Sequence, residues 1–348
     1  MVFAREKHIK FFKRFLDLLP ARLSRADSTR LSIAFFAISG LEVLNALDEI
    51  NNETKKDICN WIYSLEILPS KEDGNNEKCG FQGSDTFNVL CGENKEPCNK
   101  AYANGHLAMT YTGLASLITL GDDLSRVNRK AVIQGVRALQ QNDGSFCGTL
   151  MGSENDMRFV YCASCICYIL QDWSGMDIDK TVSYITKSMS YDYGFGQGPY
   201  LESHGGVTYC AVASLTLMGK LYSEFSEKQI EGLKRWAVMR QISGFQGRAN
   251  KPEDTCYSFW VGATLKMLNF FEMVDYNENR SFIMTTQDKL TGGFAKWKDS
   301  EPDPLHTYLG INGLSFIGEE GLLEVDPALN ISVRAMKFLN KLQQSWIN

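Results

Sequence analysis

Apolar positions along this chain fall into two kinds of segment that alternate. One kind is apolar on nearly every helical face: Tyr111–Leu117, Tyr161–Cys165, Tyr209–Leu215, Phe259–Leu265 and Tyr308–Leu314. A helix without a polar face must be buried on all sides. The other kind mixes polar and apolar residues at helical spacing, as in Arg126–Leu139, Ile178–Met189 and Glu227–Met239, and predicts helices with one face in water. Between them recurs a glycine-aromatic turn: Gly80-Phe81-Gln82-Gly83, Gly144-Ser145-Phe146, Gly194-Phe195-Gly196, Gly244-Phe245-Gln246-Gly247 and Gly292-Gly293-Phe294. The last four phenylalanines stand 49, 50 and 49 residues apart, and the aromatics that open the apolar segments stand 50, 48, 50 and 49 apart. Phe35 with Gly40-Leu41 reads as an earlier copy, separated from the next by an insertion around residues 70–101.

A fixed period of this size is the mark of one structural unit copied along the chain. Each unit reads as an outer amphipathic helix, a glycine-aromatic loop and an inner helix. Six inner helices ringed by six outer ones give an all-α (α/α)6 barrel, an α/α toroid forming a single domain over residues 1–348.

The repeat also places the polar residues. His106, Asp156, His204, Asp254 and Asp303 each stand five residues before an inner-helix aromatic, so they ring one mouth of the barrel. Aspartate suits an N-cap there. Histidine is a poor cap, and only four histidines occur in the chain, so two of them in this frame predict a functional mouth.

Composition removes several classes of function. With 36 Lys+Arg against 41 Asp+Glu the net charge is −5, which gives no general attraction to nucleic acid or anionic membrane. The hydrophobic fraction of 44% is that of a folded globular chain. The N-terminal Arg5, Lys7, Lys10, Lys13 and Arg14 alternate with Phe11, Phe12 and Phe15 at amphipathic spacing, unlike a signal peptide. The longest apolar stretch, Ile33 to Leu41, falls far short of the roughly 20 residues that span a bilayer. Ten cysteines without an export signal read as reduced thiols of a cytoplasmic protein. Cys162 and Cys165 form a lone CxxC inside an apolar helix, where small buried residues explain them.

Two constellations carry chemistry. Asp254 and Cys256, with His306 one repeat later, offer carboxylate, thiolate and imidazole, a zinc ligand set whose two negative charges match Zn²⁺. Three protein ligands leave a fourth position open, as catalytic zinc sites do. Beside them, Arg248, Lys251, Lys296 and His204 occupy three successive copies of one loop region. A cationic cluster next to zinc suits a phosphate-bearing substrate. A lumen lined by Tyr111, Tyr161, Phe259 and Trp260 suits a long apolar tail.

Taken together, Asn250-Lys251-Pro252-Glu253-Asp254-Thr255-Cys256-Tyr257-Ser258-Phe259-Trp260, Gly292-Gly293-Phe294-Ala295-Lys296-Trp297, Ser28–Leu41, Gly121–Val127, Ser153–Phe159 and Leu201–Gly206 resemble the β subunits of protein prenyltransferases. The likeness runs over roughly residues 3–345 and is nearest the type I geranylgeranyl branch. It implies a heterodimer with a helical-repeat α subunit. The enzyme would move a geranylgeranyl group from geranylgeranyl diphosphate to the Cys of a C-terminal Cys-a-a-X sequence, with X Leu or Phe, on proteins such as Rho/Rac-type small GTPases. By the same resemblance Asp254, Cys256 and His306 hold one Zn²⁺, and His204, Arg248, Lys251, Tyr257 and Lys296 bind the diphosphate. Arg158 would lie near the protein substrate's C-terminus. Ser32, Phe36, Tyr111, Tyr161, Trp260 and Leu309 would line the isoprenoid pocket. Farnesyl-transferring relatives place Asp, which helps hold Mg²⁺, where Lys296 stands, so Mg²⁺ is expected not to be required.

A farnesyltransferase β subunit is the alternative within the class, separated by Ser32 and Lys296. Rab geranylgeranyltransferase is a second, and it too places Asp where Lys296 stands. A non-catalytic α/α-toroid binding module is the alternative outside it. Complement thioester domains of that kind carry Gly-Cys-Gly-Glu-Gln, which Leu90-Cys91-Gly92-Glu93-Asn94 does not match.

Overall fold

The two kinds of segment fold into two concentric rings. The protein is described here by a computed structural model covering residues 2–19, 21–70, 74–88, 90–91, 96–97 and 103–346; parts of the 70–101 insertion, Gly92 to Asn94 among them, lie outside these residues. The inner ring consists of α2 (Arg30–Val43), α4 (Leu107–Thr119), α6 (Met157–Leu170), α8 (Gly205–Leu217), α10 (Tyr257–Met267) and α12 (Pro304–Phe316). Each packs on the next, and α12 packs back on α2, so the ring closes. The outer helices are α1 (Arg5–Asp17), α3 (Asn52–Ser64), α5 (Arg129–Ala138), α7 (Ile178–Lys187), α9 (Glu227–Val238) and α11 (Tyr276–Thr285). The amphipathic segment beginning at Arg126 becomes helical only at Arg129, because the Asn128 side chain accepts from Ala131 N–H and caps the helix there.

Phenylalanines of the glycine-aromatic turns wedge between the rings. Phe81, Phe146, Phe195, Phe245 and Phe294 are all fully buried. In three units the Phe N–H donates to a threonine hydroxyl on the following inner helix: Phe81 to Thr110, Phe195 to Thr208 and Phe294 to Thr307. Truncating one such ring to alanine would cost about 3–5 kcal/mol. Gly144, at φ +93°, shows why the turns need glycine, since a Cβ there would collide with the carbonyl of Lys180.

Ring closure falls to α1, which packs on both α2 and α12. His8 fixes it: its Nδ1 accepts from Gly293 N–H at 2.9 Å, its Nε2–H donates to Gln287 Oε1 at 3.0 Å, and its ring stacks between Phe3 and Phe294.

A further helix, α13 (Val333–Ser345), has no place in the six-unit expectation. It follows a short hairpin, Val325–Asp326 paired with Ile331–Ser332, whose approach is tied to the C-terminal end of α2 by Leu323 N–H donating to the Val43 carbonyl. Glu42, near the C-terminus of α2, accepts from Ser332 Oγ and from the Arg334 guanidinium and anchors the segment. Cys162, Cys165 and Cys167 lie buried in α6 as free thiols. Among the described residues no helix is long and apolar enough to cross a membrane.

Candidate active site

The mouth is built where the inner helices begin. Asp254 and Cys256 sit in the last residues before α10, held in place by Asp254 N–H to the Phe245 carbonyl and by Thr255 N–H to the Lys296 carbonyl. His306 occupies the first turn of α12, whose N-cap is Asp303. One ligand atom from each of Asp254, Cys256 and His306 lies within 4.8 Å of the others, and both Asp254 and Cys256 are buried. His306 Nε2 is 3.3 Å from Asp254 Oδ1. These three groups therefore face one point.

Their ionisation reflects that crowding. Burial on its own would lower the His306 pKa, but hydrogen bonds to Asp254 and Asp303 outweigh it and raise it to about 9. Burial would raise the Asp254 carboxyl, and its bonds with His306 and Cys256 instead hold it below the usual carboxylate range. Burial, with Asp254 alongside, pushes the Cys256 thiol well up. Without a cation a proton shared by His306 and Asp254 relieves the negative charge; a cation at the same point would replace it. An O, S and N donor set in a buried, anionic pocket fits a tetrahedral Zn²⁺ with one open position.

Next to the triad lies the basic group. His204 caps α8: its Nδ1 accepts from Gly206 N–H at 3.1 Å and Val207 N–H at 3.4 Å. Burial, then the charge of Arg248, lowers its pKa, so the ring is neutral with its proton on Nε2. That Nε2–H donates to the Tyr257 hydroxyl at 3.0 Å, which leaves the Tyr257 O–H free to donate into the mouth. Lys296 Nζ stands 3.7 Å from Asp254 Oδ2 and over the Trp297 ring at 4.6 Å. Arg248 reaches Glu202 at 2.9 Å, and Lys251 is exposed in the same turn. Gly247 makes room for Tyr257, because a Cβ there would collide with the hydroxyl end of its ring.

The expectation that histidine would not cap is corrected. His106 also caps its helix, α4, its Nδ1 accepting from Ala108 N–H. An imidazole can cap with Nδ1 and still present Nε2, so capping leaves its second nitrogen available. Asp254, by contrast, does not cap α10, which begins three residues later at Tyr257; its Oδ1 accepts from Cys256 N–H. Arg158 is gripped by Asp156 at 2.6 Å and Glu154 at 3.1 Å, and remains half-exposed.

Below the mouth, Ser32 Oγ is 3.5 Å from Met109 Sδ, and Phe36, one turn on, packs against Tyr308. Trp260 packs on Tyr209 at 4.9 Å. Ser32, Phe36 and Trp260 keep partial exposure, whereas Leu309 is fully buried on α12. Phe259, expected among the lumen aromatics, is fully buried and stacked on Phe316. Tyr111 and Tyr161 are buried, with hydroxyls on the backbone of the C-terminal hairpin.

Two partners escaped the sequence reading. Asp303 belonged to the mouth frame, but its bond to His306 was not anticipated, although the Asp-x-x-His spacing carries the signal. Glu202, the partner of Arg248, lies 46 residues away and has no local signal.

Comparison with known proteins agrees with this geometry. Residues 3–331 match the prenyltransferase alpha-alpha toroid domain. The chain is 42% identical over 343 residues to the geranylgeranyl transferase type-1 subunit beta of Dictyostelium discoideum, covering 95% of each protein. It is 40% identical over 346 residues to the protein of the same description from Arabidopsis thaliana, covering 96% of this chain and 90% of that one. A solved structure of Candida albicans protein geranylgeranyltransferase-I complexed with GGPP superposes with a TM-score of 0.88 at 28% identity, over 98% of this chain and 99% of that one.

Proposed function

The chain belongs to the prenyltransferase α/α-toroid family, with the activity of a protein geranylgeranyltransferase type I, and from that premise we propose how its own residues act. In this reading it is the catalytic β subunit of a heterodimer with a helical-repeat α subunit. It moves the C20 group of geranylgeranyl diphosphate onto the Cys thiol of Cys-a-a-X termini with X Leu or Phe, Rho/Rac-type GTPases being substrates of that form. The observation that carries the reading is the convergence of Asp254, Cys256 and His306 on one point, with Lys296 3.7 Å from Asp254.

Zn²⁺ held by Asp254, Cys256 and His306 would let the substrate thiol, ordinarily of pKa about 8.5, ionise at neutral pH. Asp254 and Cys256 together match the ion's charge, and His306, oriented by Asp303, adds a neutral ligand. The diphosphate sits on the cationic side of the mouth. Lys296 supplies a full positive charge there, Arg248 a second, and Tyr257 an O–H donor aligned by His204. As the thiolate sulfur forms its bond to C1 of the isoprenoid, the C1–O bond breaks and its electron pair leaves with the diphosphate. Donors fixed beforehand around the accumulating charge lower that barrier most. The thiol proton passes to solvent, so no side chain need act as general base. With Lys296 already providing charge at this point, Mg²⁺ is not required.

The test is a metal assay joined to transfer measurements on the heterodimer, with C15 and C20 diphosphates and a peptide ending in Cys-a-a-Leu. One zinc per chain and preferential C20 transfer are expected. Cys256→Ala should remove most zinc and all transfer while the lipid diphosphate still binds. Full zinc occupancy in that variant, or C15 preference in the wild type, would overturn the reading.

A further inference from the structure

Lys296 and Trp297 stand side by side in the loop that leads from Phe294 to α12. In an extended strand consecutive side chains point to opposite faces. Here the chain bends at Lys296 and Trp297 and turns over Lys298 and Asp299, where Asp299 takes φ +63°. Ser300 N–H closes the turn on the Trp297 carbonyl at 3.3 Å, and Ala295 bridges to Pro302 across its base. The bend brings the two side chains together, with the Lys296 ammonium 4.6 Å from the centre of the Trp297 ring. The Lys296 carbonyl accepts from Thr255 N–H and from Thr255 Oγ1, which fixes the backbone beneath the pair against the triad loop.

The ammonium has a rival partner. Asp254 Oδ2 lies 3.7 Å away, within ion-pair range but beyond a hydrogen bond. Asp254 Oδ1 meanwhile accepts from Cys256 N–H and faces His306 Nε2. A Lys296 closed onto Asp254 would spend its N–H donors there and neutralise a carboxylate that the triad uses. An indole face attracts the same charge while taking none of its three N–H donors into a conventional hydrogen bond. Trp297 therefore holds the cation and leaves its donors free. Trp297 is 46% exposed and the Lys296 side chain 44%, so a ligand can reach the pair from the mouth.

We propose that Trp297 is a positioning residue for the transfer reaction: its ring holds the Lys296 ammonium off Asp254 and toward the diphosphate. This rests on the prenyl-transfer reading above and adds to it a residue that acts through another. As the C1–O bond breaks, negative charge gathers on the diphosphate, and a cation already in place there lowers the barrier most. A lysine free to swing back to Asp254 loses that preorganisation, although the net charge of the site is unchanged. A leucine in place of Trp297 fills space but offers no π face, whereas a phenylalanine keeps a weaker one.

Transfer to a peptide ending in Cys-a-a-Leu, measured on the heterodimer, separates these cases. Without Mg²⁺, Trp297→Leu should lower kcat about three- to tenfold, the range of a cation–π contact, with the peptide KM and zinc content unchanged. Trp297→Phe should keep most of the rate. Millimolar Mg²⁺ should restore part of the Trp297→Leu rate and leave the wild type unmoved, because only a displaced ammonium leaves that place open. A wild-type rate in Trp297→Leu, equal losses in the leucine and phenylalanine variants, or a loss that ignores Mg²⁺ would each overturn the proposal. A second measurement needs no active variant. In heterodimer labelled with fluorotryptophan, the Trp297 fluorine resonance, identified by its absence from Trp297→Phe, should shift when inorganic diphosphate is added. The same addition to Lys296→Met should not move it. A wild-type resonance that stays still, or one that shifts equally in Lys296→Met, contradicts the proposal, and this result decides if Trp297→Leu fails to assemble. A wild type that transfers no isoprenoid would instead defeat the functional reading itself.

Discussion

Asp303 Oδ2 lies 2.6 Å from His306 Nδ1, and the same side chain, through Oδ1, accepts from the His306 backbone N–H. One carboxylate thus caps α12 and orients the imidazole whose Nε2 faces Asp254. Carboxylate–histidine pairs of this kind fix the ring and raise its basicity toward a metal.

The two roles can be separated. Asp303→Asn keeps the cap and removes the charge, whereas Asp303→Ala removes both. Zinc affinity, measured by competition with a chelator, should fall about 10–100-fold in each. Only the alanine variant should also lose about 1 kcal/mol of stability. Wild-type zinc affinity in Asp303→Asn would show that the carboxylate serves the helix alone.

His8 gives a pH dependence of defined sign. Burial, opposed only in part by its bond to Gln287, depresses its pKa from 6.5 to about 4. The fold holds the ring neutral, so its contribution to stability is complete above pH 6.5 and is lost as pH falls toward 4. The full loss is on the order of 3 kcal/mol. Urea unfolding of wild type and His8→Gln between pH 7.5 and 4.5 should converge at the acid end. Parallel curves at every pH would rule out His8 as the group responsible.

Gly247→Ala should act on the diphosphate side while sparing the metal. The added methyl displaces Tyr257 and breaks its contact with His204, so affinity for the lipid diphosphate should drop about tenfold or more, the value of a hydrogen bond to a charged group. Zinc content should stay at the wild-type level. Calorimetric titration with the diphosphate, alongside metal analysis, checks both halves.

Lys296 is expected to stand in for a divalent ion. Lys296→Asp should slow transfer without Mg²⁺ and recover part of the rate at millimolar Mg²⁺, because a carboxylate attracts the ion that an ammonium repels. A wild-type rate that needed added Mg²⁺ would contradict this.

Much of this protein is local and therefore periodic, and periodic features are legible in a linear chain. The inner helices are apolar on all sides because each is enclosed by its neighbours, and that demand writes the repeat into positions such as Tyr111, Tyr161 and Tyr209. Repetition alone returns His306 to the mouth near Asp254 and Cys256, so the triad is legible in the chain itself. Tertiary structure decided what the repeat does not encode. Glu202 pairs with Arg248, His8 closes the ring against Gly293, and the backbone of the C-terminal hairpin accepts from the Tyr111 and Tyr161 hydroxyls. These contacts join residues whose separation follows no period, and their hydrogen bonds leave no trace in hydrophobic spacing. A tyrosine that holds a buried carbonyl and one that lines an open lumen read alike in sequence. Only the fold shows which is which.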